Sequence, residues 1–147
     1  MFGRIRLGQP ADTMSGVTVA DCVVTHPTVH DSRATVGELR TLFLDDHIHM
    51  ALLLDGQRLV SAVERDDLEV AFDDEAPARV VGTLLGRAVS PGEPAAATLA
   101  SMRESGRRRL AVASDDGTLV GLLCLKANGA GFCSDDDVAS RRLVRAA

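Results

Sequence analysis

Residues 110–123 read LAVASDDGTLVGLL, and residues 50–63 read MALLLDGQRLVSAV. Each is an apolar run, a turn carrying Asp-Gly, and a second apolar run. That is the pattern of two antiparallel strands joined by a tight connection. Outward from the hairpins the match continues. Residues 19–68 laid over 79–128 agree nearly without gaps, placing Val29 on Val89, Leu39 on Leu99, Leu42 on Met102, Ala51 on Ala111, Leu59 on Leu119 and Val60 on Val120. A fixed offset of this kind marks a doubled supersecondary unit.

Each copy opens on a short apolar segment, ADCVVTHPTV or VVGTLLGRAV, and passes through a helix into the hairpin. In the first copy Thr35 and Glu38 form a Thr-x-x-Glu capping box, each side chain satisfying the other's backbone N–H. Val36, Leu39, Leu42 and Phe43 then follow the helical period. In the second copy Pro94 sits at a tolerated first-turn position, with Leu99 and Met102 turned inward. The fold class expected is α+β: two β-α-β-β-α repeats, each too small to bury its own sheet, packed around a pseudo-twofold axis. The first repeat is expected over 17–75 and the second over 76–140, with an N-terminal extension at 1–16 and a C-terminal tail at 141–147.

The bulk composition sets limits on function. A chain of 147 residues with 46% hydrophobic and 25% charged residues fits one compact domain or two small ones sharing a core. No Trp or Tyr is present, so stacking platforms for single-stranded nucleic acid are missing. The net charge of −5 has the wrong sign for coating phosphate backbones. No apolar run approaches the roughly 18 residues of a membrane span. MFGRIRLGQPADTMSG has no apolar stretch behind its arginines, so no signal peptide is expected. Cys22, Cys124 and Cys133 make no CxxC and read as ordinary buried thiols of a reducing compartment. The expectation is a cytoplasmic protein that contacts neither nucleic acid nor membrane.

The order of apolar strand, helix and SDDGTLVGLL resembles a CBS (cystathionine-beta-synthase) domain, and the doubled arrangement resembles a CBS pair, or Bateman module. The resemblance covers roughly residues 17–140, with Ser61 standing in the first copy where the family usually has glycine. It implies a regulatory module binding an adenosyl compound (AMP, ADP, ATP or S-adenosylmethionine) in a cleft between the repeats, with no cofactor required. It also implies a ribose-binding carboxylate in a Gly-φ-φ-Thr/Ser-x-x-Asp phrase.

In the first copy that phrase runs from Ser61 to Asp67, so Asp67 falls on the ribose aspartate and Glu64 on the hydroxyl residue. Asp66 and Asp67 also suit the start of the helix DDLEVAF, and the two roles are compatible. In the second copy Cys124 and Ala127 occupy the corresponding positions, so that ribose site reads as lost. Should ANGAGFC delay the helix, it starts at Ser134 with Asp135, Asp136 and Asp137 in its first turn, as helix-start residues or recruited to a ligand. For phosphates the first copy offers His47 and His49, and the second Arg107, Arg108 and Arg109. His49, Arg108 and Arg109 are the residues selected, though the arginine triplet equally suits a guarded sheet edge. Thr25, His26 and Pro27 occupy the loop that in the family closes over the base.

Catalysis finds little support. His47 and His49 alternate like paired metal ligands, but no spacing forces a third. No G-x-S-x-G is present, and no cysteine sits in an activating context. The chain therefore reads as a non-enzymatic, stand-alone nucleotide sensor. It is expected to form a homodimer and to signal to a separate effector protein. The alternative is a ligand-free structural or interaction CBS pair acting by dimerisation or docking.

Overall fold

A computed structural model describes residues 16–25, 27–71, 73–126 and 131–133. The first repeat supplies β1 (Val29–Asp31), α1 (Val36–Leu42), β2 (Met50–Asp55), β3 (Arg58–Glu64) and the short α2 (Arg65–Glu69). The second supplies β4 (Ala88–Val89), α3 (Ala95–Ser105), β5 (Arg109–Ala113) and β6 (Leu119–Cys124). Two three-stranded sheets result, ordered β1-β2-β3 and β4-β5-β6. In each, the first pairing is parallel and the second antiparallel. The helix the sequence places after Cys133 lies outside the described residues.

The repeat extends to its irregularities. In the first sheet Leu53 faces Ser61 and Leu54 faces Leu59, which leaves Val60 as an extra residue. In the second, Val112 faces Gly121 and Ala113 faces Leu119, which leaves Val120 extra. A bulge of this kind turns the side chains that follow it. Leu59 and Ala62 accordingly share the core between the sheets, while Val60 and Val63 pack under α1.

The apolar run of β2 follows from burial on both faces. Ala51 and Leu53 pack against Val36 and Leu39 of α1, while Met50 and Leu52 meet Ala111 of the other repeat. Its two-residue alternation thus serves two cores. The α1 capping box forms as expected, with Thr35 N donating to Glu38 Oε1 at 2.8 Å and Glu38 N to Thr35 Oγ1 at 3.2 Å. Pro94 lies one position before α3 as its N-cap, and Gly106 ends that helix in the left-handed region at φ 74°. The helix expected from DDLEVAF stops at Glu69. Arg40 explains the stop: its guanidinium donates to the Leu68 and Ala71 carbonyls at 2.8 and 2.7 Å, satisfying acceptors that another helical turn would use.

Reciprocal contacts join the halves. Leu59 N donates to Gly117 O at 2.8 Å and Leu119 N to Gln57 O at 3.0 Å, the same bond made in both directions. Each repeat also lays its leading segment across the other's last strand. Val24 and Leu122 exchange bonds of 2.8 and 3.1 Å on β6, and Thr83 N donates to Ala62 O at 3.0 Å on β3. Backbone approaches this closely only where a glycine leaves room. On β6 the strand provides it: a Cβ at Gly121 would lie 2.6 Å from Val24 O. On β3 the crossing segment provides it: a Cβ at Gly82 would lie 2.5 Å from Ala62 O. Ser61 is tolerated because the glycine has moved to the partner segment, where Ser61 Oγ donates to Arg79 O at 3.2 Å.

Candidate functional site

Glu64 ends β3 and Asp67 stands in the first turn of α2, where its Oδ2 accepts the Glu64 N–H at 2.8 Å. Asp67 thereby ties down one of the helix's unpaired N–H groups. Arg87, just before β4, reaches this corner from the second repeat. It pairs bidentately with Asp67 at 2.5 and 3.0 Å, donates to Ala62 O at 2.9 Å, and lies 3.3 Å from Glu64 Oε1. Arg107 takes the other Glu64 oxygen at 2.6 Å. The Arg87 and Asp67 side chains are only 12% and 15% exposed, so their pairing matters more than a surface ion pair does.

Beside this network lies a cavity of about 310 Å³. His49, Glu64, Arg107, Arg108, Arg109 and the end of α3 line it. Among these side chains three guanidinium groups stand against one carboxylate, which gives the cleft a positive balance of charge. Arg108 also directs its guanidinium at Leu125 O, at 3.4 Å. Arg65 organises the approach: it donates to Phe43 O and Ile48 O and stacks over the Phe43 ring at 5.1 Å, fixing the loop ahead of His49. Burial, then Arg109, Arg108, Arg65 and His47, hold the His49 imidazole below its ordinary 6.5.

Four residues singled out in the sequence, His49, Glu64, Arg108 and Arg109, therefore line one cleft. Asp67 lies one contact behind it, engaged by Arg87. Thr25 and Pro27 are not part of that lining. Their segment follows Val24, which crosses β6 of the opposite repeat. His26 lies outside the described residues. His47 turns to Asp45, with Nδ1 3.2 Å from Oδ1. Among the described residues no group of three His, Cys, Asp or Glu side chains is placed to hold a metal.

Arg87 and Arg107 are the members that sequence reasoning missed. Arg107 heads the arginine triplet, one position before the two residues selected from it. Arg87 had a weaker signal: the sixty-residue offset places it opposite Pro27, in the loop selected for base contacts.

The position related to Glu64 by the repeat is closed. Cys124 stands there, buried with Val24 and Cys133. A second cavity, about 430 Å³, is lined by His30, Asp31, Arg33, Ala34, Glu38 and Leu39. Its charged groups already serve local structure, Arg33 bonding Asp31 at 3.0 Å and Glu38 capping α1. No helix among the described residues is long and apolar enough to cross a membrane.

The architecture is a pair of α+β repeats joined about a pseudo-twofold axis, with a charged cleft at the seam. Solved structures identify it as the fold of a CBS domain pair. A CBS domain protein from Pyrobaculum aerophilum complexed with AMP aligns with a TM-score of 0.59 at 22% identity, over 74% of this chain and 87% of that one. A CBS domain pair in complex with 5′-methylthioadenosine and S-adenosyl-L-methionine aligns at 0.58 and 15%, over 88% and 98%. The cytosolic domain of the Mg2+ channel MgtE in complex with ATP aligns at 0.56 and 20%, over 82% of this chain and 47% of that one. No family model and no curated protein matches the sequence.

Proposed function

We propose that this chain is a CBS-pair regulatory module. It binds an adenosyl nucleotide (AMP, ADP, ATP or S-adenosylmethionine) in the cleft beside Glu64 and signals to a partner protein, as a cytoplasmic homodimer without catalytic activity. The observation that carries this reading is the cleft itself, about 310 Å³ walled by Arg107, Arg108, Arg109 and His49. Its volume lies at the lower end of ligand pockets, and its charge suits phosphate. In this reading Glu64 accepts from the ribose hydroxyls with the lone pairs that its contacts to Arg87 and Arg107 leave. Structural neighbours crystallised with AMP, ATP and S-adenosyl-L-methionine add support. A ligand favouring one packing of the repeats over another would shift that equilibrium by its differential affinity.

One observation favours the second reading, a ligand-free interaction module: Asp67, the expected ribose carboxylate, is already engaged by Arg87. Leu44, Val70, Val80 and Leu85 are exposed at 65–88%, which supports association with a partner or a second copy under either reading.

Thermal unfolding with AMP, ADP, ATP, NAD and S-adenosylmethionine in turn separates the two. Ligand at about a hundred times its Kd adds about 2.7 kcal/mol, a rise of about 5–10 °C at this chain length. No rise with any of them, in folded dimeric protein, selects the interaction module.

His49 adds a pH signature. A phosphate bound among Arg107, Arg108 and Arg109 favours the imidazolium, so binding takes up a proton. Affinity is expected to strengthen as pH falls from mildly alkaline values towards the depressed value of His49 in the free protein, read by titration calorimetry. His49→Gln should flatten that dependence and leave only the ligand's own titration. The sign for stability is opposite: with its pKa depressed on folding, His49 favours the fold above 6.5 and loses that contribution as pH falls through its folded value.

A further inference from the structure

We propose that Cys124 and Cys133 are a redox site, closing to a reversible disulfide that locks residues 131–133 against the end of β6, at the second repeat's blocked cleft position. Leu125 and Phe132 form an antiparallel bridge, which sets Cys124 and Cys133 directly opposite each other. Cys133 N donates to Cys124 O at 2.6 Å and Lys126 N to Gly131 O at 2.8 Å, bracketing the bridge on both sides. Residues paired in this way have Cα atoms about 5.5 Å apart, within the span a disulfide bridges. The two sulfurs already stand 2.9 Å apart, in a dry cluster with Val24.

The placement gives the bond a consequence. Cys124 occupies the position that Glu64 holds in the open cleft, and Val24 beneath it belongs to the segment crossing β6. Joining the sulfurs ties residues 131–133 covalently to the end of β6, against which Val24 packs. In the thiol state a short ladder and apolar contact hold the same closure, and it opens at lower cost. Cys22 is the internal control: it packs against the Val19, Leu99 and Met102 cluster, apart from the two facing sulfurs.

The oxidant class is a peroxide, small enough to reach a buried sulfur. One thiolate attacks a peroxide oxygen, the O–O bond breaks, and the departing hydroxide takes up the proton that thiol released, giving water and a sulfenic acid. The second thiolate then attacks that sulfur and expels hydroxide, which takes up a proton. Two thiols and hydrogen peroxide thus yield one disulfide and two waters, and a dithiol reductant reverses the product.

The test treats the full chain with hydrogen peroxide, alkylates what remains, and maps linkages by mass spectrometry without reduction. A Cys124–Cys133 cross-link is expected with Cys22 alkylated. The melting temperature should rise by about 8 °C from closure of the short loop and return on dithiothreitol treatment. Cys133→Ser should remove both cross-link and shift, while Cys22→Ser should keep both. Three alkylatable thiols after treatment, a linkage through Cys22, or a cross-link with no rise in melting temperature would each overturn the proposal. Because the wild-type chain supplies the decisive readouts, poor folding of a variant does not obscure the result.

Discussion

Asp67→Ala is expected to lower stability by about 3 kcal/mol, a fall in melting temperature of about 10 °C. Two losses combine. The Glu64 N–H loses its capping oxygen, and Arg87 loses both bonds of a bidentate pair while still only 12% exposed. Breaking a fully buried pair costs about 3–5 kcal/mol, and the lower end applies because these groups keep some water and Glu64 still holds Arg87. Asp67→Asn separates the two losses: asparagine caps as well as aspartate, so what remains of the fall measures the ion pair. Differential scanning calorimetry of both variants reads this directly. A fall below about 3 °C for Asp67→Ala would show the pair to be screened like a surface bridge.

The same corner decides how ligand experiments are read. Loss of nucleotide binding in Asp67→Ala would not by itself assign a ribose contact, because the variant also loosens α2 against the second repeat. Arg87→Ala is the sharper variant. Under the proposed function it releases the carboxylate from its internal partner, and affinity for AMP is expected to rise about tenfold even as the apo protein melts lower. Under the interaction-module reading it lowers stability alone.

Gly82→Ala is expected to cost about 3 kcal/mol, again near 10 °C. The new Cβ would meet Ala62 O at 2.5 Å, Ser61 Oγ at 2.6 Å and Val63 Cγ2 at 2.7 Å. The nearest of these is backbone, so rotamer change cannot relieve the contact. The crossing segment must lift, and the Thr83 N to Ala62 O bond lengthens with it. Gly92→Ala is the control, since nothing lies within 4 Å of its would-be Cβ, and it should leave the melting temperature within about 2 °C.

Local chemistry made the repeat legible. The hairpins, the Thr35–Glu38 box and the apolar periodicity each depend on residues a few positions apart, and all of them formed. Even the bulges were implicit in the alignment of Val60 with Val120, although nothing in either strand alone announced them. Illegible features depended on contacts across the seam. Arg87 meets Asp67 only because the leading segments are exchanged, and Thr25 and Pro27 stand outside the cleft's lining. Cys133 meets Cys124 through an isolated bridge whose own sequence, GFC, is too short to carry a strand signal. The arginine triplet shows the limit of register: Arg107, Arg108 and Arg109 all line the cavity, but the bond to Glu64 belongs to the one passed over.

The paired bonds from Leu59 to Gly117 and from Leu119 to Gln57 carry a consequence for how the molecule comes apart. Each half both gives a segment to its counterpart and receives one, so neither half alone satisfies its own last strand. Denaturation should proceed as a single event, with equal calorimetric and van't Hoff enthalpies. Cleavage between the halves should leave two fragments that find each other again. By the same reciprocity, two copies of one half could close these bonds between separate chains as the joined halves close them within one.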